Sequence, residues 1–264
     1  MKKAVICAVL TVLCGAVLFA QNFRDGFFFA QDDNFANNQK NQVVIEVKGG
    51  KIVSANWNII SLNPAGSQDL KSIAQAGNVA GAVTWAGQAK AVEDFLVSSQ
   101  NINASSVPGG PSNVKPFFDL VKKALDRRAV AVPKGGYKDG WYIAVEDEAD
   151  PYHTKNYVLI TVVNGSIVDV LWNGILQGNY ASPSASKIIT SMHNGSRGYP
   201  MHNPVDPRRA WHIQSARTSE ALVKAQNPDS IKMKPDGKPD AISGVTIEIN
   251  HFLSASKLAL QSAK

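Results

Sequence analysis

Apolar and polar residues alternate along two stretches of the chain, and each alternation breaks once at a turn. Residues 43 to 58 read VVIEVKGGKIVSANWN, interrupted at Gly49-Gly50, and residues 158 to 173 read VLITVVNGSIVDVLWN, interrupted at Asn164-Gly165. Period-two patterns around a pair that tolerates positive φ predict two β-hairpins. A short apolar run precedes each, FFFAQ at 27 to 31 and WYIAV at 141 to 145, so each hairpin is expected to grow into a three-stranded antiparallel meander. Helical spacing follows at Gln88 to Ser99 and Ala216 to Ala225, and closing helices are expected from Pro116 and from Asn250, with Asn250 as N-cap.

The two patterns are copies of one another. Residues 40 to 58 match residues 155 to 173 at ten of nineteen positions without a gap. Asp25-Gly26 answers Asp139-Gly140, and Trp85, Gln88, Leu96 and Val97 answer Trp211, Gln214, Leu222 and Val223. A repeat of roughly 115 residues has the size of a small domain rather than of a solenoid unit. The expected fold class is therefore α+β, in two tandem homologous domains, each an antiparallel sheet with helices packed on one face. The expected division is a leader over 1–20, a first domain over 21–130 and a second over 131–264. Residues 176 to 210 form a Gly-, Ser-, Pro- and Asn-rich loop about eleven residues longer than its counterpart, and long loops are where duplicated scaffolds diverge.

Composition adds the compartment. After Met1-Lys2-Lys3 comes AVICAVLTVLCGAVLFA, a charged start and an apolar core ending at a small residue, Ala20, which reads as an export signal. At about seventeen apolar residues it falls short of the ~20 that cross a bilayer. Cys7 and Cys14 both lie inside it, so a chain cut after Ala20 has no thiol for a disulfide, a metal site or a thioether-linked haem. The alternative is acylation of Cys14 in a lipoprotein, which would anchor the N-terminus to a membrane. The formal charge of +6 loses two units with Lys2 and Lys3. Lys122-Lys123, Arg127-Arg128 and Arg208-Arg209 read as solvated helix ends or loops, and with no aromatic-basic ladder they exclude nucleic acid as a partner. No G-x-S-x-G nucleophile and no phosphate loop with its lysine supports hydrolase or NTPase chemistry, and His193, His202, His212 and His251 lack metal spacing.

The copies disagree at one place. Aligned on the closing helices, PGGPS of the first faces ISGVT of the second, which sets Thr246 opposite Pro111 and Ser243-Gly244 opposite Pro108-Gly109. Chemistry that needs a hydroxyl has one there only in the second copy. The run D-G-W-Y-I-A, then NGSIV and VLWN, then W..Q, and finally D-A-I-S-G-V-T at 240 to 246 resembles the FMN-binding domain of bacterial extracytoplasmic flavoproteins and of flavin-carrying subunits of ion-pumping redox complexes. The tandem arrangement behind an export signal is most similar to secreted flavoproteins that pass electrons across the envelope.

The resemblance implies that Thr246 is esterified to the phosphate of FMN by a separate magnesium-dependent flavin transferase that uses FAD as donor. It places Asp240, Ser243 and Gly244 at the matching motif positions, and Val245 where alanine is usual. Gly244 would let the backbone approach the phosphate, Ser243 would hydrogen-bond it, and Asp240 would cap the loop backbone or hold a metal during transfer. Met192, Tyr199, Met201 and His202 in the long loop are candidates to pack against the isoalloxazine ring by stacking and soft-sulfur contact, the alternative being an ordinary mobile loop. Trp57, Trp85, Trp172 and Trp211 recur in both copies and are expected to be structural. The implied protein is an exported redox carrier with one covalent FMN, fed by a membrane or envelope redox partner, rather than an enzyme with its own substrate. The competing expectation is a cofactor-free binding protein that kept the fold.

Overall fold

The computed structural model describes residues 22–62, 69–77, 79–151, 153–178, 186–192 and 206–264. The leader and Tyr199, Met201 and His202 of the long loop lie outside the described residues. Among those described, no helix is long and apolar enough to cross a membrane.

The fold is α+β. Strands β1 (Gly26–Gln31), β2 (Gln39–Lys48) and β3 (Lys51–Ser61) form one antiparallel sheet, and β4 (Gly140–Val145), β5 (Thr154–Val163) and β6 (Ser166–Leu176) form another, each a meander in chain order. The hairpin turns carry the positive φ that their sequences predict, 59° and 72° at Gly49-Gly50 and 50° and 77° at Asn164-Gly165. The two ladders are in identical register. Phe27 faces Glu46 as Trp141 faces Thr161, and each hairpin has one irregularity, at Glu46/Val47 and at Thr161/Val162.

Helices α1 (Leu70–Gln75), α2 (Ala80–Ser99) and α3 (Lys115–Ala124) complete the first unit; α4 (Lys187–Met192), α5 (Trp211–Ala225) and α6 (Asn250–Gln261) complete the second. α2 begins eight residues before Gln88 because Gly81 and Gly87 sit inside it as ordinary helical residues, while Ala82 and Ala89 face the core. α5 begins at Trp211, whose buried indole is itself the first core contact of that helix. Ile249, not Asn250, is the N-cap of α6, and no side chain caps that end.

Each unit has a core between its sheet and helices, and Ile60 at the end of β3 and Leu62 just after it join the core of the second. Val43, Ile45 and Val47 of β2 meet Val92 and Leu96 of α2 and Phe117 and Val121 of α3; Val158, Ile160 and Val162 of β5 meet Leu222 of α5 and Phe252 and Leu260 of α6. The tryptophans are core residues in both. Trp57 meets Trp85 edge-on at 5.6 Å and Phe117 at 5.4 Å, and Trp172 meets Trp211 at 5.1 Å and Phe252 at 5.2 Å. Side chains of the opposite parity point away from the helices, and there the two sheets meet. Gln42 Nε2 donates to Asp169 Oδ2 (2.9 Å), its Oε1 accepts from Trp141 Nε1 (2.8 Å) and Thr161 Oγ1 (3.1 Å), and Gln31 Nε2 donates to Asp169 Oδ1 (3.0 Å). The helices thus cover the outer face of each sheet, and a polar seam, flanked by the apolar contact of Ile60 and Leu62 with the second unit, joins the inner faces.

The second helix of each unit is tied to its hairpin by one glutamine. Gln100 and Gln226 end α2 and α5 with left-handed φ of 56° and 58°. Their amides then exchange two hydrogen bonds with the backbone of Ile52 and of Ile167, all at 2.8 Å. This clamp fixes where α5 lies on its sheet, and α5 carries one wall of the site below.

Candidate functional site

Ile242-Ser243-Gly244-Val245 is a β-turn. The amide of Val245 donates to the carbonyl of Ile242 (3.3 Å) and Gly244 has φ of 73°, the type II arrangement that calls for glycine at its third position. Val245 is buried and belongs to the second unit's core, so its two extra methyl groups fill core volume instead of crowding the solvent side. Ser243, Gly244 and Thr246 are exposed. The turn therefore presents the serine and threonine hydroxyls outward on an apolar anchor.

Two side chains of α5 hold the turn in place. Gln214, itself 1% exposed, accepts through one oxygen both the Thr246 amide (2.7 Å) and the Thr246 hydroxyl (3.2 Å), while its Nε2 donates to the Arg209 carbonyl (2.6 Å). Because the hydroxyl proton is directed at Gln214, the lone pairs of Thr246 Oγ1 are left facing away from it. Arg217 Nη1 donates to the carbonyls of Gly244 (3.0 Å) and Arg208 (3.3 Å), tying the turn to the segment before α5.

The turn forms one wall of an open groove of about 780 Å³. The other walls bring Arg208 and Arg209 from a 3₁₀ turn over Pro207–Arg209, Arg217, Glu220, Ala221 and Lys224 from α5, and Asp206. Asp206 caps the 3₁₀ turn and pairs with Arg208 (2.9 Å), and the Arg208 hydrogen bond holds its carboxyl below the usual carboxylate range. Among the described residues Arg209, Arg217 and Lys224 form no ion pair with a carboxylate, though Asp206 also feels the Arg209 charge, and with these three and Arg208 set against Asp206 and Glu220 the groove holds an excess of positive charge beside the Thr246 hydroxyl.

Of the residues singled out in the motif, Ser243, Gly244 and Thr246 line this groove and Val245 anchors it. Asp240 does not line it. Its amide donates to the Lys232 carbonyl (3.0 Å) and its side chain is exposed, so backbone capping of the turn falls to Gln214 and Arg217. Met192 lies half-exposed at the end of α4. Arg208-Arg209 is a solvated pair on the 3₁₀ turn, as expected, and it also lines the open groove. Nothing in the local sequence singles out Arg217, and Gln214 stands out only as a repeat mark; the Gln of W..Q is the available signal.

The same turn exists in the first unit without the chemistry. The Gly110 amide donates to the Val107 carbonyl (3.0 Å) and Gly109 has φ of 76°, so Val107-Pro108-Gly109-Gly110 repeats the geometry with proline at the second position. Pro111 replaces Thr246 and has neither a hydroxyl nor an amide hydrogen for Gln88 to accept. A Cβ built on Gly109 meets Ala91 where one on Gly244 meets Arg217, which makes Ala91 the counterpart of Arg217. Seven residues further along α2, Ser98 stands for Lys224.

A buried charge stands at the first residue of α4. Lys187, 5% exposed, donates to Asp150 (3.2 Å) and Asn156 (3.1 Å) and lies 5.4 Å from the Trp211 ring centre. Burial pushes its ammonium pKa down, against the pull of Asp150. Burial raises the Asp150 carboxyl, but the Lys187 charge and the Thr154 amide outweigh it and leave the pKa lowered.

No protein-family model and no curated protein matches the chain. Among solved structures, a solution NMR structure of a Clostridium thermocellum structural-genomics target is similar at 38% identity, covering 47% of this chain and 90% of that one with a TM-score of 0.35.

Proposed function

We propose that this chain is an exported electron-transfer flavoprotein that carries one FMN through a phosphoester to Thr246. The observation that carries the reading is an exposed threonine hydroxyl, held by a buried glutamine on a type II turn, at the wall of a groove whose cations outnumber its carboxylates. The donor set fits a phosphate: charge-assisted N–H groups from Arg209 and Arg217 and a lysine nearby are what a phosphodiester needs. Bound FMN would supply reversible electron transfer at its isoalloxazine ring; the chain supplies position and charge.

In the attachment step Thr246 Oγ1 would bond to the phosphorus of the FMN half of FAD. The bond from that phosphorus to the oxygen bridging to AMP breaks, AMP leaves, and the Oγ1 proton passes to a base. A threonine hydroxyl is a weak nucleophile at neutral pH, and no histidine or carboxylate touches Thr246 among the described residues, so base and magnesium belong to the partner transferase. Gln214 accepts the hydroxyl hydrogen bond and keeps the oxygen in one orientation. Arg217 keeps the turn closed. Outside the cell a phosphoester prevents the loss of a cofactor whose free concentration is low. The first unit, with Pro111, is a degenerate copy that covers the inner face of the second sheet.

Intact mass tests this. The exported protein, co-produced with an active flavin transferase, is expected to gain the mass of FMN less one water, and Thr246→Ala is expected to gain nothing. An unmodified wild type beside a modified control substrate overturns the reading and leaves a cofactor-free interaction protein in its place.

A further inference from the structure

The groove is longer than one phosphate on Thr246 requires. Arg217 and Lys224 lie seven residues apart on α5, about 10 Å along the helix axis, and both line the groove. Arg208 and Arg209 approach from the segment before α5, on the side of the turn. Arg208 is offset by Asp206, and Glu220 lies on the same helix face as Arg217 and Lys224, yet Arg209, Arg217 and Lys224 remain without a carboxylate partner among the described residues. A single phosphate at Thr246 leaves the far end of this positive wall unanswered. None of it exists in the first unit, where Ala91 and Ser98 occupy the positions of Arg217 and Lys224.

We propose that the groove is a non-covalent binding site for diphosphate esters, one phosphate lying between Arg209 and Arg217 and the second reaching toward Lys224. This goes beyond the covalent reading and does not need Thr246 to be modified. The acceptor protein would then hold part of its donor substrate itself, and docking of the transferase would complete a site already half loaded. Affinity would come largely from charge and would fall as salt rises.

The test uses the unmodified, leaderless full chain, titrated with inorganic pyrophosphate and separately with orthophosphate while backbone amide resonances are followed. Pyrophosphate is expected to shift Gly244, Val245 and Thr246 together with the amides near Lys224, and to bind at least about tenfold more tightly than orthophosphate. Lys224→Gln, which touches nothing in the turn, is expected to cost about tenfold for pyrophosphate and little for orthophosphate. Arg217→Gln is expected to weaken both. Equal affinity for the two anions, or pyrophosphate binding unaffected by Lys224→Gln, overturns the proposal. Because the readout is anion binding to unmodified protein, its failure is distinguishable from failure of covalent attachment, which is read by mass in the presence of the transferase.

Discussion

The two units differ far more in chemistry than in backbone. Register, hairpin turns, the glutamine clamps at Gln100 and Gln226 and the paired tryptophans coincide, and so does the type II turn in front of the closing helix. What changes is what stands on that turn and opposite it: Thr246 with Arg217 and Lys224 in one, Pro111 with Ala91 and Ser98 in the other. Geometry alone therefore does not make a site here. The second difference is in the core, where Trp57 donates to Asn41 (3.0 Å) but buried Trp172 Nε1 has no partner among the described residues. The equivalent Asn156 oxygen accepts from Lys187 instead. The second unit has given up one indole hydrogen bond and gained a buried cation.

Restoring the hydroxyl alone breaks the comparison most directly. Pro111→Thr is expected to gain no FMN in the first unit when co-produced with a transferase that modifies Thr246 fully, because Ala91 and Ser98 supply no charge. An adduct on the introduced threonine, seen by peptide mass mapping, would mean that the motif suffices without the groove. Next in size is the buried pair. Lys187→Met leaves Asp150 without its cation and is expected to cost roughly 3–5 kcal/mol in urea unfolding, with most of that recovered by adding Asp150→Leu.

The turns can be compared through their glycines. Both Gly244 and Gly109 are left-handed, so alanine at either is expected to cost about 1–2 kcal/mol. At Gly109 the added carbon reaches Ala91 only at 3.6 Å, while at Gly244 it runs into Arg217. Gly244→Ala is therefore expected to slow FMN attachment as well, and Gly109→Ala to leave it unchanged, in a timed mass assay.

The smallest effect concerns pH. The folded pKa of Asp150 lies below its ordinary value of 3.8, so the unfolded chain binds more protons in that interval. Its contribution is complete above pH 3.8 and is lost as pH falls through the folded value. Acid unfolding curves from about pH 5 downward should be shallower for Asp150→Asn than for wild type.

The meanders were legible because a period-two pattern and a turn with positive φ are local facts, written within about twenty residues. Duplication was legible for the same reason, as a pattern repeated. The helix starts were not: Ala80 to Gly87 is too rich in small residues to show a face, and its burial is decided by the sheet beneath. The turn at Thr246 was found through the motif and through its mismatch with Pro111. Its supports were not, since Gln214 and Arg217 reach it across 32 and 27 positions, a distance no local pattern spans. Arg208-Arg209 is solvated charge, as its sequence suggests, but its place beside the turn depends on that same fold-over.

The seam between the sheets has a consequence for descent. Its amides come from Gln31 and Gln42, and the ladder places Val145 and Tyr157 at the same positions in the second unit; its acceptor Asp169 corresponds to Ser54, and Thr161 to Glu46. Two copies of either unit laid face to face would lack one half of this lock. The copies are thus not interchangeable at this seam: the unit with Pro111 supplies both amides, the unit with Thr246 supplies the carboxylate, the indole and the hydroxyl, and the symmetry of the pair ends where the two sheets meet.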